Sequence, residues 1–407
     1  MFYSTYGKLR KMFAITSRQL LHVILYSGVT ASYSSSTQSP LADGHSTNII
    51  TGVYGGDPEI RILGDDGQLN WKLSVSDILE GQPDLEPWLQ DCLSDGSAVT
   101  EMKQISDGTK IAALIGDAAV VVNYMPEDPD EDKKIVYGVC VNIPKLSNCH
   151  TLEALPNNTL AIATSGQSQS DGIWLYDAGN GPVPDGSPEP FQKIGCHPTI
   201  HGMVWDDEEG ILWAAGTDKA ADGSECRAYG LLNGYQWNEE HPHLEKEPVN
   251  SYRMPTTAQC FTEWPSDDPN SQYWDGPHDV APVPNERKLL ISTELDIHEF
   301  DFNSERFTAG EQVEEIYLKG FVPLGNRTGT NRSGQRESLP RSDMKSVSLA
   351  EDDRVVYNQA IWATTFSSKL INVLKNGEHR GVDVDGSIYK ARWLDSTSGW
   401  RRAEWSL

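Results

Sequence analysis

Three histidines recur in one sequence setting. His150 opens the segment 150–163, His201 opens 201–214 and His278 opens 278–291. Each segment reads as a strand, a polar turn and a second strand. Lys345 and Glu101 stand at the corresponding place in two weaker copies, 345–357 and 101–112. Imidazoles that converge can ligate a divalent metal through neutral nitrogens. They can instead act as general base and general acid near neutral pH. They can also be structural, each bonded to neighbouring backbone. A position kept for packing alone should hold one residue type in every copy. Here it varies in charge, as a ring facing a ligand would. Lys345 would hold a ligand carboxylate, and Glu101 would orient a histidine or ligate a metal. The metal expected at His150, His201 and His278, as the alternative to direct catalysis, is one divalent ion: calcium, manganese or zinc.

Other residues bear on the same place. The segment 325–345 is the most basic stretch of an acidic chain and carries Arg327, Arg332, Arg336 and Arg341. It reads either as a solvated loop or as a lid that guides an anionic ligand toward Lys345. Tyr357, on the strand after Lys345, is a candidate proton donor. The insertion 235–276 is rich in aromatic residues, which either stack on sugar rings or bury themselves to staple the loop. His241 and His243 lack a third metal ligand nearby. The acidic run from Asp128 to Asp132 lacks the glycine and final glutamate of a calcium loop. No phosphate-binding glycine loop and no GxSxG elbow occur, so no nucleotide cofactor is expected.

The elements that must carry these residues are short strands. β-Branched and aromatic runs alternate with Gly, Pro, Asp and Asn clusters, and helical periodicity is almost absent. Positions 101, 150, 201, 278 and 345 are separated by 49, 51, 77 and 67 residues. A four-stranded blade takes ~40–50 residues. The two wider gaps then hold loops. With a first copy near 49–76, the pattern predicts an all-β, six-bladed β-propeller over 46–398, with seven blades as the alternative count. N- and C-terminal strands should close it, residues 386–393 supplying an outer strand. In that fold the first strand of each blade lines a central channel.

Composition sets the surroundings. The 407-residue chain carries a formal charge of −26, which argues against nucleic acid or anionic membrane as partner. Lys8, Arg10, Lys11 and Arg18 precede the apolar run 20–26, the pattern of a signal peptide ending near residue 31. A serine-rich linker follows over 32–45, and 399–407 reads as a tail. The run is too short to span a membrane. Six cysteines fit an oxidising compartment, with Cys226 and Cys260 as one candidate bridge. Asn157, Asn326 and Asn331 begin glycosylation sequons. An extracellular, monomeric protein is expected.

The series running from Cys149-His150, through His201-Gly202-Met203 and His278-Asp279-Val280, to Lys345-Ser346-Val347 resembles an uncharacterised propeller family of bacteria and fungi. The resemblance covers most of 90–375 and implies a propeller. More distantly the chain resembles propeller polysaccharide lyases of the rhamnose–glucuronate lyase type, in architecture and residue types only. That likeness implies cleavage of uronate-containing glycans by β-elimination. A cation neutralises the carboxylate, a histidine removes the adjacent proton, and an acid protonates the leaving oxygen. The other readings are a non-catalytic glycan- or protein-binding propeller and a metal-dependent sugar lactone or ester hydrolase.

Overall fold

The computed structural model describes residues 48–141, 146, 148–165, 172–181, 184, 186–219, 228–257, 276–330, 335–361, 365–394, 400 and 405. The expected leader, the serine-rich linker, Cys226, Cys260, Asn331, Arg332 and residues 258–275 of the insertion lie outside the described residues.

Runs of Val, Ile, Leu and Ala between tight polar turns fold into antiparallel meanders. Val99–Ile105, Lys110–Ile115, Ala118–Asn123 and Ile135–Cys140 pair in that order. The two middle strands are buried along their whole length, so both faces of the sheet pack on other elements. Ala112, Ala113, Ala118 and Ala119 keep those faces thin enough for close approach. The same meander recurs over 149–194, 202–257 and 277–309. Four blades therefore stand as separate sheets, against the six or seven expected.

The remaining large sheet has seven strands. Its order is Met344–Leu349, Val355–Gln359, Ser368–Lys375, Glu378–Trp393, Asn48–Tyr54, Glu59–Gly64 and Leu69–Ser74. The sixteen-residue strand Glu378–Trp393 is its pivot. Residues 378–388 pair with Ser368–Lys375, and residues 387–393 pair with Asn48–Tyr54.

The first strands of the sheets lie side by side around one axis. Val99–Ile105 neighbours Cys149–Leu155, which neighbours Gly202–Asp206, then Pro277–Pro282, then Met344–Leu349. Residues 387–393 close the ring. Ser346 Oγ accepts from Ala391 N on one side, and Arg392 reaches Glu101 on the other. The fold is an all-β propeller, and 386–393 is an inner strand rather than the outer one expected. The reason is charge: the cations Lys390 and Arg392 find their carboxylates only at the axis.

Among the described residues, three short α-helices accompany the strands. Val75–Gly81 begins with a capping box: Ser74 Oγ accepts from Asp77 N, and an Asp77 oxygen accepts from Ser74 N. Pro87–Asp95 is tied to the strand Ile135–Cys140 by the disulfide Cys92–Cys140. Trp400 and Trp405, in the segment expected to be a tail, are buried. Their indole N–H groups donate to Val283 O and Leu155 O, at the distal ends of two inner strands.

Close packing of neighbouring inner strands has a measurable consequence. A Cβ on Gly202 would stand 2.5 Å from Val280 N and 2.8 Å from the Asp279 carbonyl carbon. Both are backbone atoms of the adjacent blade, which cannot rotate away. Gly202→Ala should cost ~1–3 kcal/mol, read as a lowered urea midpoint. Gly81→Ala, where nothing lies within 4 Å, is the control and should leave the midpoint nearly unchanged.

Candidate functional site at the channel mouth

A β-bulge aims the channel residues. The pairing register slips between Cys149 and Thr151, between Pro277 and Asp279, and between Met344 and Ser346. His150, His278 and Lys345 are the extra residues. His201 stands immediately before its strand. An unpaired bulge residue re-aims its side chain and bends the strand locally. In the 99–140 blade the slip falls between Val99 and Glu101, so the matching residue is Thr100. The alignment that placed Glu101 in this ring is off by one. Glu101 matches Asp279, one residue further along the axis.

The residue two positions upstream fixes each side chain. Asn148, Thr199 and Asp343 all adopt left-handed backbone, with φ of 53°, 57° and 57°. For the β-branched Thr199 this conformation costs ~1–3 kcal/mol. His201 Nδ1–H donates to Thr199 O at 2.9 Å, which leaves Nε2 as the lone-pair nitrogen. His150 Nε2 donates to Asn148 Oδ1 at 2.9 Å, which leaves Nδ1 with the lone pair and no hydrogen-bond partner. Lys345 Nζ lies 2.9 Å from Asp343 Oδ1.

These groups converge. The His150 and His201 rings stack at 4.8 Å, and His201 meets His278 edge-on at 5.1 Å. Tyr389 packs 4.8 Å from His150, and its hydroxyl lies 3.2 Å from His278 Nδ1. His278 Nε2 is 2.8 Å from Lys345 Nζ and 2.7 Å from Glu294 Oε1. One proton serves that nitrogen: Nε2–H donates to Glu294, and the other tautomer accepts from Lys345. Among the described residues, the group close enough to share a metal is His278, Glu294 and Asp343, whose ligand atoms lie within 4.8 Å of one another. Of the three expected metal ligands, only His278 belongs to it.

Electrostatics set the protonation. Burial pushes His150 well below the usual imidazole range, helped by His201 and by the Lys390 ammonium. Burial does the same for His201 and His278, with Lys390 and Lys345 adding to it. All three are neutral at pH 7, although His150 and His201 keep part of their surface in the open channel. Burial raises the Tyr389 phenol well above its ordinary value, so it keeps its proton. Burial also raises Asp343, to about 7, with Lys345 opposing and Glu294 reinforcing.

Below the imidazoles the channel is plugged by ion pairs. Arg392 binds Asp279 through two parallel hydrogen bonds of 3.0 and 2.7 Å, and Glu101 through bonds of 2.9–3.1 Å. Lys390 Nζ donates to Glu101 Oε2 at 3.1 Å and to the carbonyls of His150 and His201 at 2.9 and 2.6 Å. Lys103 continues the stack, donating to Glu153 and to Met203 O.

Several expected site residues are elsewhere. Arg327 is buried, and its guanidinium donates to the carbonyls of Leu324, Ser342 and Ala360. Arg341 is paired with Asp296 and Glu314. Both hold the backbone that leads into Asp343, and Arg327 Nη1 also lies 3.8 Å from Asp343 Oδ2. Arg336 is exposed beside Thr328. Tyr357 is buried between blades and donates to Val322 O, because alternate residues of its strand face the seam rather than the axis. Asn157 and Asn326 are exposed. Trp237 is buried, and Tyr252 packs on Trp213 and Phe300. The residues that sequence reasoning missed are Tyr389, Lys390, Arg392, Glu294 and Asp343. The run Tyr389-Lys390-Ala391-Arg392-Trp393 alternates cation with apolar residue, a signal for a strand whose polar side meets charge. Asp343 could have been found from its spacing, two before Lys345.

The class these features define is a β-propeller with an ion-paired plug and an imidazole-lined mouth. No protein-family profile matches the chain, and no curated protein matches it. Among solved structures it is similar to a protein of unknown function from Bacteroides caccae, with TM-score 0.46, 10% identity, and 85% of this chain and 97% of that chain covered. It is similar to a functionally unknown protein from Desulfotomaculum acetoxidans, with TM-score 0.45, 10% identity and coverage of 89% and 100%. A chain of a nidogen/laminin complex follows at TM-score 0.43, 8% identity and coverage of 85% and 97%. No functional residue is carried over from them.

The plug makes stability depend on acid pH. Burial alone would raise Glu101, but Arg392 and then Lys390 overcome it and lower it from its ordinary 4.5 to about 2. A depressed carboxylate contributes stability above its unfolded pKa and loses it as pH falls toward the folded value. Unfolding free energy from urea titration should therefore drop between about pH 4.5 and pH 2. Glu101→Gln should flatten that slope and lower stability at pH 7 by up to ~3–5 kcal/mol, since it takes from two buried cations a carboxylate they share and leaves Asp279 as their remaining counter-charge.

Proposed function

We propose that the protein is a secreted, carbohydrate-active propeller whose channel mouth takes an anionic sugar and cleaves uronate-containing glycans by β-elimination. One observation carries the reading. Two neutral, partly open imidazoles sit beside the buried Lys390 and Lys345 ammonium groups; burial above all holds their pKa values down, and those cations add to it. Cations placed there favour a carboxylate and stabilise the charge that develops on it.

In this reading His201 Nε2 removes the proton next to the uronate carboxylate, with the His150 ring stacked against it. The C–H electrons become a carbon–carbon double bond, and the glycosidic C–O bond at the β-carbon breaks. The Tyr389 hydroxyl, held protonated, gives its proton to the leaving oxygen. Tyr389 takes the role expected of Tyr357. Phe366 is 53% exposed, and its ring lies 5.9 Å from Lys345 Nζ, which gives a sugar ring a stacking face at the rim.

The proposal includes the architecture. We read the seven-stranded sheet as two blades joined through Glu378–Trp393, which makes six in all. The two directions of pairing of that strand support this count. The protein acts as a monomer in this reading.

The test is a panel of uronate glycans, followed by the ultraviolet absorbance of the unsaturated product. His201→Ala should lower the rate by ~10²–10⁴-fold with the urea midpoint retained. Silence across the panel with calorimetric binding intact would favour the non-catalytic glycan-binding module. Chelation-sensitive release of acid from sugar lactones or esters, without the unsaturated product, would favour the metal-dependent hydrolase. Full activity in both His150→Ala and His201→Ala would remove the mouth from the mechanism.

A further inference from the structure

A metal-ligand geometry and a lysine coincide at the channel mouth. His278 Nε2 and oxygens of Glu294 and Asp343 form a compact donor set of one imidazole and two carboxylates. That set suits Zn²⁺ or Mn²⁺. All three residues are buried, and the Glu294 and Asp343 carboxylates stand against one another with Asp343 Oδ1 meeting the Lys345 ammonium at 2.9 Å. Carboxylates in that state need a cation close by.

The nearest cation is covalently attached, and the Arg327 guanidinium stands further out, 3.8 Å from Asp343 Oδ2. Lys345 Nζ stands among the same atoms, 2.8 Å from His278 Nε2, 2.9 Å from Asp343 Oδ1 and 3.5 Å from Glu294 Oε1. Lys345 is fully buried, so water does not share its charge. A divalent ion held by these ligands would lie against the ammonium, and two buried cations in one pocket repel. The plug below repeats the arrangement. Lys390 Nζ is surrounded by Glu101, Asp279 and the carbonyls of His150 and His201, an oxygen shell of the kind that holds a hard cation.

We propose that the Lys345 ammonium is the resident cation of a metal-shaped site. It takes the place of a divalent ion, so the native mouth binds none there, and its removal converts the site into a metal centre. The inference deepens the proposed site without depending on its reaction. It also replaces the ligand set His150, His201 and His278 with His278, Glu294 and Asp343.

The experiment is calorimetric titration of chelator-treated protein with Zn²⁺ and Mn²⁺, with metal content checked by atomic emission. The native chain should take up no stoichiometric ion. Lys345→Ala should gain about one equivalent, as a site of three protein ligands would. Lys345→Ala combined with Asp343→Asn should lose it again. One equivalent in the native protein that disappears in Asp343→Asn would overturn the proposal. So would a folded Lys345→Ala that binds nothing. If Lys345→Ala does not fold, Lys345→Gln serves, because it keeps the side-chain volume without the charge and should also gain the ion. None of these readouts uses glycan cleavage, so an absence of lyase activity leaves them standing.

Discussion

The Arg392 guanidinium holds the channel together. It is clamped by Glu101 on one neighbouring strand and by Asp279 on a strand further round the axis. Lys390, two residues earlier on the same strand, reaches the backbone of two more. Two cations on one strand thus tie together blades that are far apart in sequence. Such buried pairs stabilise little relative to an apolar core, but they are strongly selective about geometry. Only one register of 387–393 puts both cations among their acceptors. The ion pairs therefore specify how the ring closes, while the seams of Val, Ile, Leu and Ala supply the bulk of the burial.

The functional layer depends on that closure and on a repeated backbone device. A left-handed residue, one extended residue and a bulge occur in succession at the entry to several inner strands. Lys390 Nζ satisfies the carbonyl of the bulge residue His150 and that of His201, which stands just before its strand. The upstream residue chooses the tautomer or pairs the charge. Positioning and chemistry are thus separated by two residues on one strand. The imidazoles stay neutral chiefly because they are buried, and the ammonium groups that secure the ring add to it.

Much of the fold was legible because its signals are local. Segments 150–163, 201–214 and 278–291 align by strand and turn content alone, and their histidines do meet at one place. Glu101 was misplaced by one residue because a bulge leaves no trace in hydrophobic periodicity. A shift of one along a strand exchanges the mouth for the plug. The arginines of 325–342 misled for a different reason: sequence counts charge but not the carbonyls and carboxylates that wait for it. Arg327 and Arg341 are consumed by such partners. Glu294 sits just past a second strand, and only tertiary structure brings it to Asp343 and Lys345.

The closing strand has a consequence for biosynthesis. Residues 387–393 are the innermost partner of Asn48–Tyr54, a strand made more than three hundred residues earlier. Until they emerge from the ribosome, that early strand has an unpaired edge and Glu101 and Asp279 lack their counter-charge. A nascent chain must keep these groups apart from wrong partners for most of its translation. The mouth is therefore the last part of the molecule to exist, and a truncated product that folds its middle blades still carries no assembled site.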